Sequence, residues 1–191
     1  EIPAGSGKWV AFPISEGIVV DLSDNVTFND NNVTVTCADV VGIEDTIYPV
    51  SFKESNDAVI KNNDIAALGN TYVYGIIISG DDFTIDGNTI STQSIEYYAN
   101  GIDIEGPASG VVKNNTIDVK GIVSVYAVYS GMNGADVIVN YENNNITGSA
   151  YNAFGFSLGD VESYLSNNFI DLNGNYTTGI AYYGNHIEAK Y

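Results

Sequence analysis

The run SGDDFTIDG places two adjacent carboxylates, Asp81 and Asp82, one repeat ahead of a second pair, Asp103 and Glu105. Two carboxylates held at a suitable separation can divide acid and base work on a glycosidic bond. The same oxygen-rich set is where a calcium ion could be gripped. Asp81 and Asp82 equally suit a turn ahead of a strand, because an Asp side chain can bond the nearby backbone. Other reactive residues do not join them. His186 is the only histidine and lies far along the chain, so no triad can be assembled. Cys37 is the only cysteine, which excludes an internal disulfide and a cysteine-based zinc cluster. In VTVTCA it shares a strand face with Val33 and Val35 and reads as a small buried hydrophobe.

Five tyrosines are the other candidates. Tyr72, Tyr98 and Tyr176 stand three residues ahead of a recurring G-Φ-x-Φ phrase (Φ, apolar), and Tyr97 and Tyr151 stand four ahead. Collected along one edge, with Val123 interrupting the row, they would offer aromatic faces beside Asn and Asp. That combination suits sugar rings, whose apolar faces stack while their hydroxyls find polar partners. The same residues could instead form a stacked aromatic ladder that covers loops.

Charge narrows the partners. The chain holds 24 Asp and Glu against 6 Lys with no Arg, for a net charge of −18. Nucleic acid and anionic membrane surfaces both demand a cationic footprint and are excluded. No apolar run approaches the ~20 residues of a membrane span, so direct membrane insertion is not expected. At 191 residues and 45% hydrophobic content, a substantial core is available.

What must position these side chains is a repeat. The phrase Φ-x-[N/D/G]-N-x-Φ occurs seven times, and its fourth position is always Asn: Asn31, Asn63, Asn88, Asn115, Asn144, Asn168 and Asn185. Their spacings are 32, 25, 27, 29, 24 and 17. The G-Φ-x-Φ phrase alternates with it, beginning at Gly17, Pro49, Gly75, Gly101, Tyr126, Gly155 and Gly179. Two phrases that stretch together over such a period mark a solenoid. Leu is too scarce for a leucine-rich repeat, and the short period-2 runs of Ile, Val, Phe and Tyr broken by Asn, Gly and Asp exclude helical repeats. The expected fold is all-β, a right-handed parallel β-helix of about six to seven coils.

In that fold each invariant Asn sits at a bend, where a left-handed backbone is needed, and its amide bonds along the axis as one rung of a ladder. The flanking hydrophobes point inward. The outward position after the first Φ reads Asn29, Lys61, Asp86, Lys113, Glu142, Ser166 and Tyr183, alternating in sign over four coils as cross-coil pairs would. Residues 1–16, with Trp9, Val10, Phe12 and Ile14, are expected to cap the first coil, and 17–191 to form one β-helical domain of a longer protein. Five N-x-S/T sites occur, at Asn25, Asn32, Asn114, Asn145 and Asn175.

The GIxIxG…VxNNxI grammar over residues 17–187 resembles the right-handed parallel β-helix repeats of the pectin-lyase-like superfamily. The repeats are most similar to those in adhesin-like surface proteins of methane-producing archaea, which are rich in Asn, Tyr, Ile and Asp. The resemblance implies a non-enzymatic, extracellular module at the cell surface. It would display a rigid face to a glycan or to another cell, with no cofactor beyond the calcium considered above. The alternative it implies is a polysaccharide lyase or glycoside hydrolase working through Asp81, Asp82 and Asp103. Lyases of the superfamily use an Arg or Lys base, and the absence of Arg counts against that alternative.

Overall fold

The computed structural model describes residues 14–37, 45–131, 136–159 and 162–190. These form strands and turns with no helix, and therefore no helix long and apolar enough to cross a membrane. Each coil contributes one strand to each of three walls. The first wall runs through Ile14–Asp21, Thr46–Lys53, Tyr72–Val73 with the start of Ile76–Asp86, the start of Tyr98–Lys113, Ser124–Ser130, Asn152–Leu158 and Tyr176–Tyr182. The second runs through Thr27–Asn29, Val59–Lys61, the far ends of Ile76–Asp86 and Tyr98–Lys113, then Val137–Glu142, Glu162–Ser166 and His186–Lys190. The third stacks Asn32–Cys37, Asp64–Gly69, Thr89–Ser94, Thr116–Lys120, Asn145–Ser149 and Phe169–Asn173. Neighbouring coils pair in parallel in every wall. The six rungs of the third wall make about five turns of solenoid, slightly fewer than the coil count expected from the repeats.

Period-2 alternation builds the core. In the third wall Ile65, Ile90, Ile117 and Ile146 stack in register and are almost completely buried. In the second, Ile60, Ile85, Val112 and Tyr141 do the same. The first wall contributes Val50, Ile76, Ile102, Val128 and Phe156. Each such side chain removed from water stabilises the fold by about 1.5–3 kcal/mol before entropy is counted. Cys37 is partly buried against this core.

The Asn ladder joins the second wall to the third. Asn63 donates from its backbone N–H and from Nδ2 to Asn88 Oδ1, at 2.9 and 3.0 Å. Asn88 donates likewise to Asn115, Asn115 to Asn144, Asn144 to Asn168, and Asn31 to Asn63. From Asn63 to Asn168 the second hydrogen of Nδ2 reaches back to the first apolar residue of the preceding coil, as from Asn88 to the Ile60 carbonyl at 2.9 Å, whereas that of Asn31 bonds the Asn29 carbonyl.

Four details differ from the sequence expectation. The left-handed backbone falls on the residue before the ladder Asn, at Asp30, Asn62, Gly87, Asn114, Asn143 and Asn167, with φ between 53 and 67°. The third position is Asn, Asp or Gly because those types tolerate that conformation, whereas the fourth is Asn for its amide. Asn185 is not a rung. The final coil is short, and the pairing of Glu162 with His186 sets Asn185 ahead of the second wall, while every ladder Asn follows it. For the same reason the seventh outward position of the charge row is Lys190, paired with Ser166, and not Tyr183. In that row Lys61 and Asp86 approach to 3.6 Å. Finally, the glycine place of the fifth coil is Ala127, one residue later than the phrase begun at Tyr126.

Residues 1–13, with Trp9, Val10 and Phe12, lie outside the described residues. Ile14–Glu16 pair with Thr46–Tyr48 as part of the first wall, so the solenoid already includes them.

Candidate binding face

Alternate residues of every first-wall strand point outward, and in-register stacking sets their equivalents about 4.8 Å apart, close enough for aromatic rings to pack in sequence. The position just ahead of the phrase's glycine place is aromatic in four coils: Tyr48, Tyr74, Tyr126 and Phe154. The coil between Tyr74 and Tyr126 has Asn100 there. Tyr98, from the adjacent outward column, bridges that gap. Ring centroids run 5.1 Å from Tyr48 to Tyr74, 6.3 Å to Tyr98, 5.3 Å to Tyr126 and 4.7 Å to Phe154, the last pair stacked within 4° of parallel. Tyr72 and Tyr97 pack beside Tyr98, and Tyr129 meets Tyr126 edge-on at 5.3 Å. The result is an unbroken aromatic strip across five coils.

Polar groups adjoin the strip at its centre. Asn100 is completely buried, and its Nδ2 donates to Asp103 Oδ2 at 3.0 Å. The carbonyl oxygen of the same amide is buried and has no hydrogen-bond partner. Asp103 occupies the next outward column, beside Tyr129 on one side and Ile77 on the other. Burial pushes its carboxyl up to about 7, helped by Glu105 and opposed by the Asn100 bond and by Lys53. Burial also raises the hydroxyls of Tyr48, Tyr74, Tyr98 and Tyr129, and the charge of Asp103 raises all four further. Lys53 stands 3.5 Å from Glu105 and lies over the Tyr48 ring at 5.9 Å. Beyond them a cleft of about 550 Å³ opens at the corner between the first two walls, lined in part by Leu22, Glu54, Asp81 and Pro107.

The five tyrosines singled out by spacing divide into two groups. Tyr72, Tyr97 and Tyr98 join the strip, while Tyr151 and Tyr176 form a separate edge-on pair at 5.3 Å. Ser124 and Asn152 lie between the groups in the same column. Tyr48, Tyr74, Tyr126, Tyr129 and Phe154 were not anticipated. A sequence signal existed for four of them, since each stands one residue ahead of a Gly, Pro or Ala that begins the aligned phrase.

The carboxylates divide as well. Asp81 and Asp82 sit at the corner between the first and second walls. The Asp81 N–H donates to Asn56 Oδ1, its carboxylate accepts from Ser109, and Asp82 adopts φ 59° while its N–H donates to Ser109 Oγ. They serve the turn, and neither is among the groups that set the proton affinity of Asp103. Among the described residues no three His, Cys, Asp or Glu side chains converge as a metal would require. His186 is exposed beside Tyr164, on the last strand.

Fold and face together define a parallel β-solenoid carrying an aromatic strip with a carboxyl–carboxamide pair at its centre. Compared with known proteins, the chain matches no family model, no curated protein and no solved structure.

Proposed function

We propose that this chain is a non-enzymatic, β-helical module of an adhesin-like protein at the cell surface, and that it holds a glycan along the first wall. The observation that carries the proposal is the aromatic strip from Tyr48 to Phe154. Its rings are partly exposed, lie on a rigid sheet and are flanked by Asn and Asp, which is the combination that sugar rings recognise. Each sugar face stacked on such a ring contributes on the order of 1 kcal/mol, so a strip spanning several coils suits an extended chain better than a single sugar. The likeness of the repeats to the pectin-lyase-like superfamily and to archaeal surface adhesins belongs to the same proposal, as does an extracellular location. The solenoid itself would act as a stiff spacer that presents the strip to a glycan or to another cell.

A glycan array tests this. Binding is expected to fall by roughly fivefold on Tyr98→Ala or Tyr126→Ala, with little change on Tyr151→Ala, which lies off the strip. A catalytic alternative is favoured by one feature, the burial that pushes the Asp103 carboxyl up to about 7, the direction a general acid needs. Polysaccharide turnover that disappears on Asp103→Asn would replace the non-enzymatic proposal.

A further inference from the structure

We infer that the cleft at the corner between the first two walls holds the terminal sugar of a neutral glycan, with two adjacent hydroxyls placed between Lys53 and Glu105. The inference rests on the glycan-binding proposal and names the ligand class at one end of the strip. Uneven corners build the cleft. Ile78 and Ile85, equivalent core positions of the first and second walls, stand seven residues apart, whereas Phe52 and Ile60, and Ile104 and Val112, stand eight apart. The short corner supplies Ser79 and Gly80 to the lining, between Lys53 and Glu54 of one neighbour and Glu105 and Pro107 of the other. Gly80 takes φ 123° there, and a Cβ would lie 2.5 Å from the Ser55 carbonyl oxygen. At about 550 Å³ the cleft falls in the size range of small-molecule sites.

Lys53, Ser79 and Glu105 each follow one of those first-wall core positions, so they share an outward column. Ser79 is small and buried, and the two ionic groups reach across it to 3.5 Å. That separation exceeds the roughly 2.7–2.9 Å of a charge-assisted hydrogen bond. Among the described residues neither side chain makes a hydrogen bond, and at 45% and 49% exposed both are open to a ligand. A donor and an acceptor therefore stand side by side, unfilled. The lining carries both signs, Lys53 against Glu54, Asp81 and Glu105. A uronic acid would meet the three carboxylates, and an ammonium group set between the pair would meet that of Lys53. A hydroxyl both donates and accepts, so two neighbouring hydroxyls satisfy Glu105 and Lys53 together. Lys53 also lies over the ring of Tyr48, the first ring of the strip. A chain stacked along the rings thus delivers its last sugar to the pair.

The test titrates three β-1,4-linked oligosaccharides of equal length into the chain by calorimetry at neutral pH and physiological salt: oligoglucose, oligoglucuronate and oligoglucosamine. Oligoglucose is expected to bind at least about fivefold more tightly than either charged chain. Glu105→Gln and Lys53→Met should each weaken oligoglucose by roughly fivefold. Lys120→Met removes the same charge as Lys53→Met from the exposed third wall and should leave that binding unchanged. Oligoglucose binding that survives both cleft variants, falls equally on Lys120→Met, or is surpassed by a charged chain would overturn the terminal subsite. If it is nevertheless weakened by Tyr98→Ala, glycan binding stands without the cleft; if none of the three chains binds, both proposals fall.

Discussion

Asp103 is held in a place that suits its neutral form. Its folded proton affinity lies near 7, above the ordinary carboxylate value of 3.8, chiefly because burial penalises the charge. The unfolded chain ionises it from about pH 4 upward while the folded chain resists until about pH 7. Stability linked to this group is therefore fully present below pH 4, declines as pH rises to 7, and stays reduced above. Asp103→Asn cannot ionise and avoids that decline. Thermal melts should show the variant more stable than the wild type at pH 8, by at most about 4 kcal/mol, and equal to it below pH 4. A wild-type advantage at pH 8 would mean that the carboxylate has a favourable partner in the folded chain. Asn100 belongs to the same scale, since it places one buried amide between the Tyr74 and Tyr126 places of a column that is aromatic in four coils.

At the level of the element, the corner between the second and third walls combines two separate requirements. One residue must take φ > 0, and the next must supply an amide that neighbouring coils can bond from both sides. Asn88, Asn115 and Asn144 meet the second requirement while almost completely buried. Asn115→Ala would deprive Asn88 of its acceptor and the Ile85 carbonyl of a donor. A loss of roughly 2–4 kcal/mol is expected by urea denaturation. Asn31→Ala, at the exposed end of the ladder, should cost less than about 1 kcal/mol. Comparable losses at the two sites would show that the ladder does not gain from burial. The first wall imposes a different constraint at Gly101, where a Cβ would come within 2.5 Å of the Ala127 carbonyl oxygen and still closer to Ile117.

Across the whole molecule, each coil touches only its neighbours, so stability accumulates along one axis and falls toward an open end. The central coils bury complete columns of Ile and Val, whereas Tyr176–Tyr182 and His186–Lys190 are largely exposed. Hydrogen exchange should therefore protect the amides of Thr89–Ser94 and Thr116–Lys120 most strongly and release those of the last two strands first, ahead of global unfolding. Uniform protection from coil to coil would indicate all-or-none unfolding instead.

The period, the inward and outward alternation and the amide ladder were legible in the residues alone, because each depends on contacts between equivalent positions in adjacent coils. Two phrases kept in step reveal those positions without coordinates. Asn185 misled because a six-residue match says nothing about which corner it occupies, and only strand pairing shows that it precedes its wall. Asp81 and Asp82 bond at a corner while Asp103 lies on the first wall, a division that closeness in sequence does not decide. The aromatic strip was half visible: Tyr72, Tyr97 and Tyr98 were found, and Tyr48, Tyr74, Tyr126 and Phe154 were not. In-register neighbours along the strip are residues 26 or 28 positions apart whose register depends on where each insertion falls within its coil. How a ring such as that of Tyr98 leans across a column, leaving an amide and a carboxyl beneath it, is decided by side-chain packing, and packing exists only once the coils have stacked.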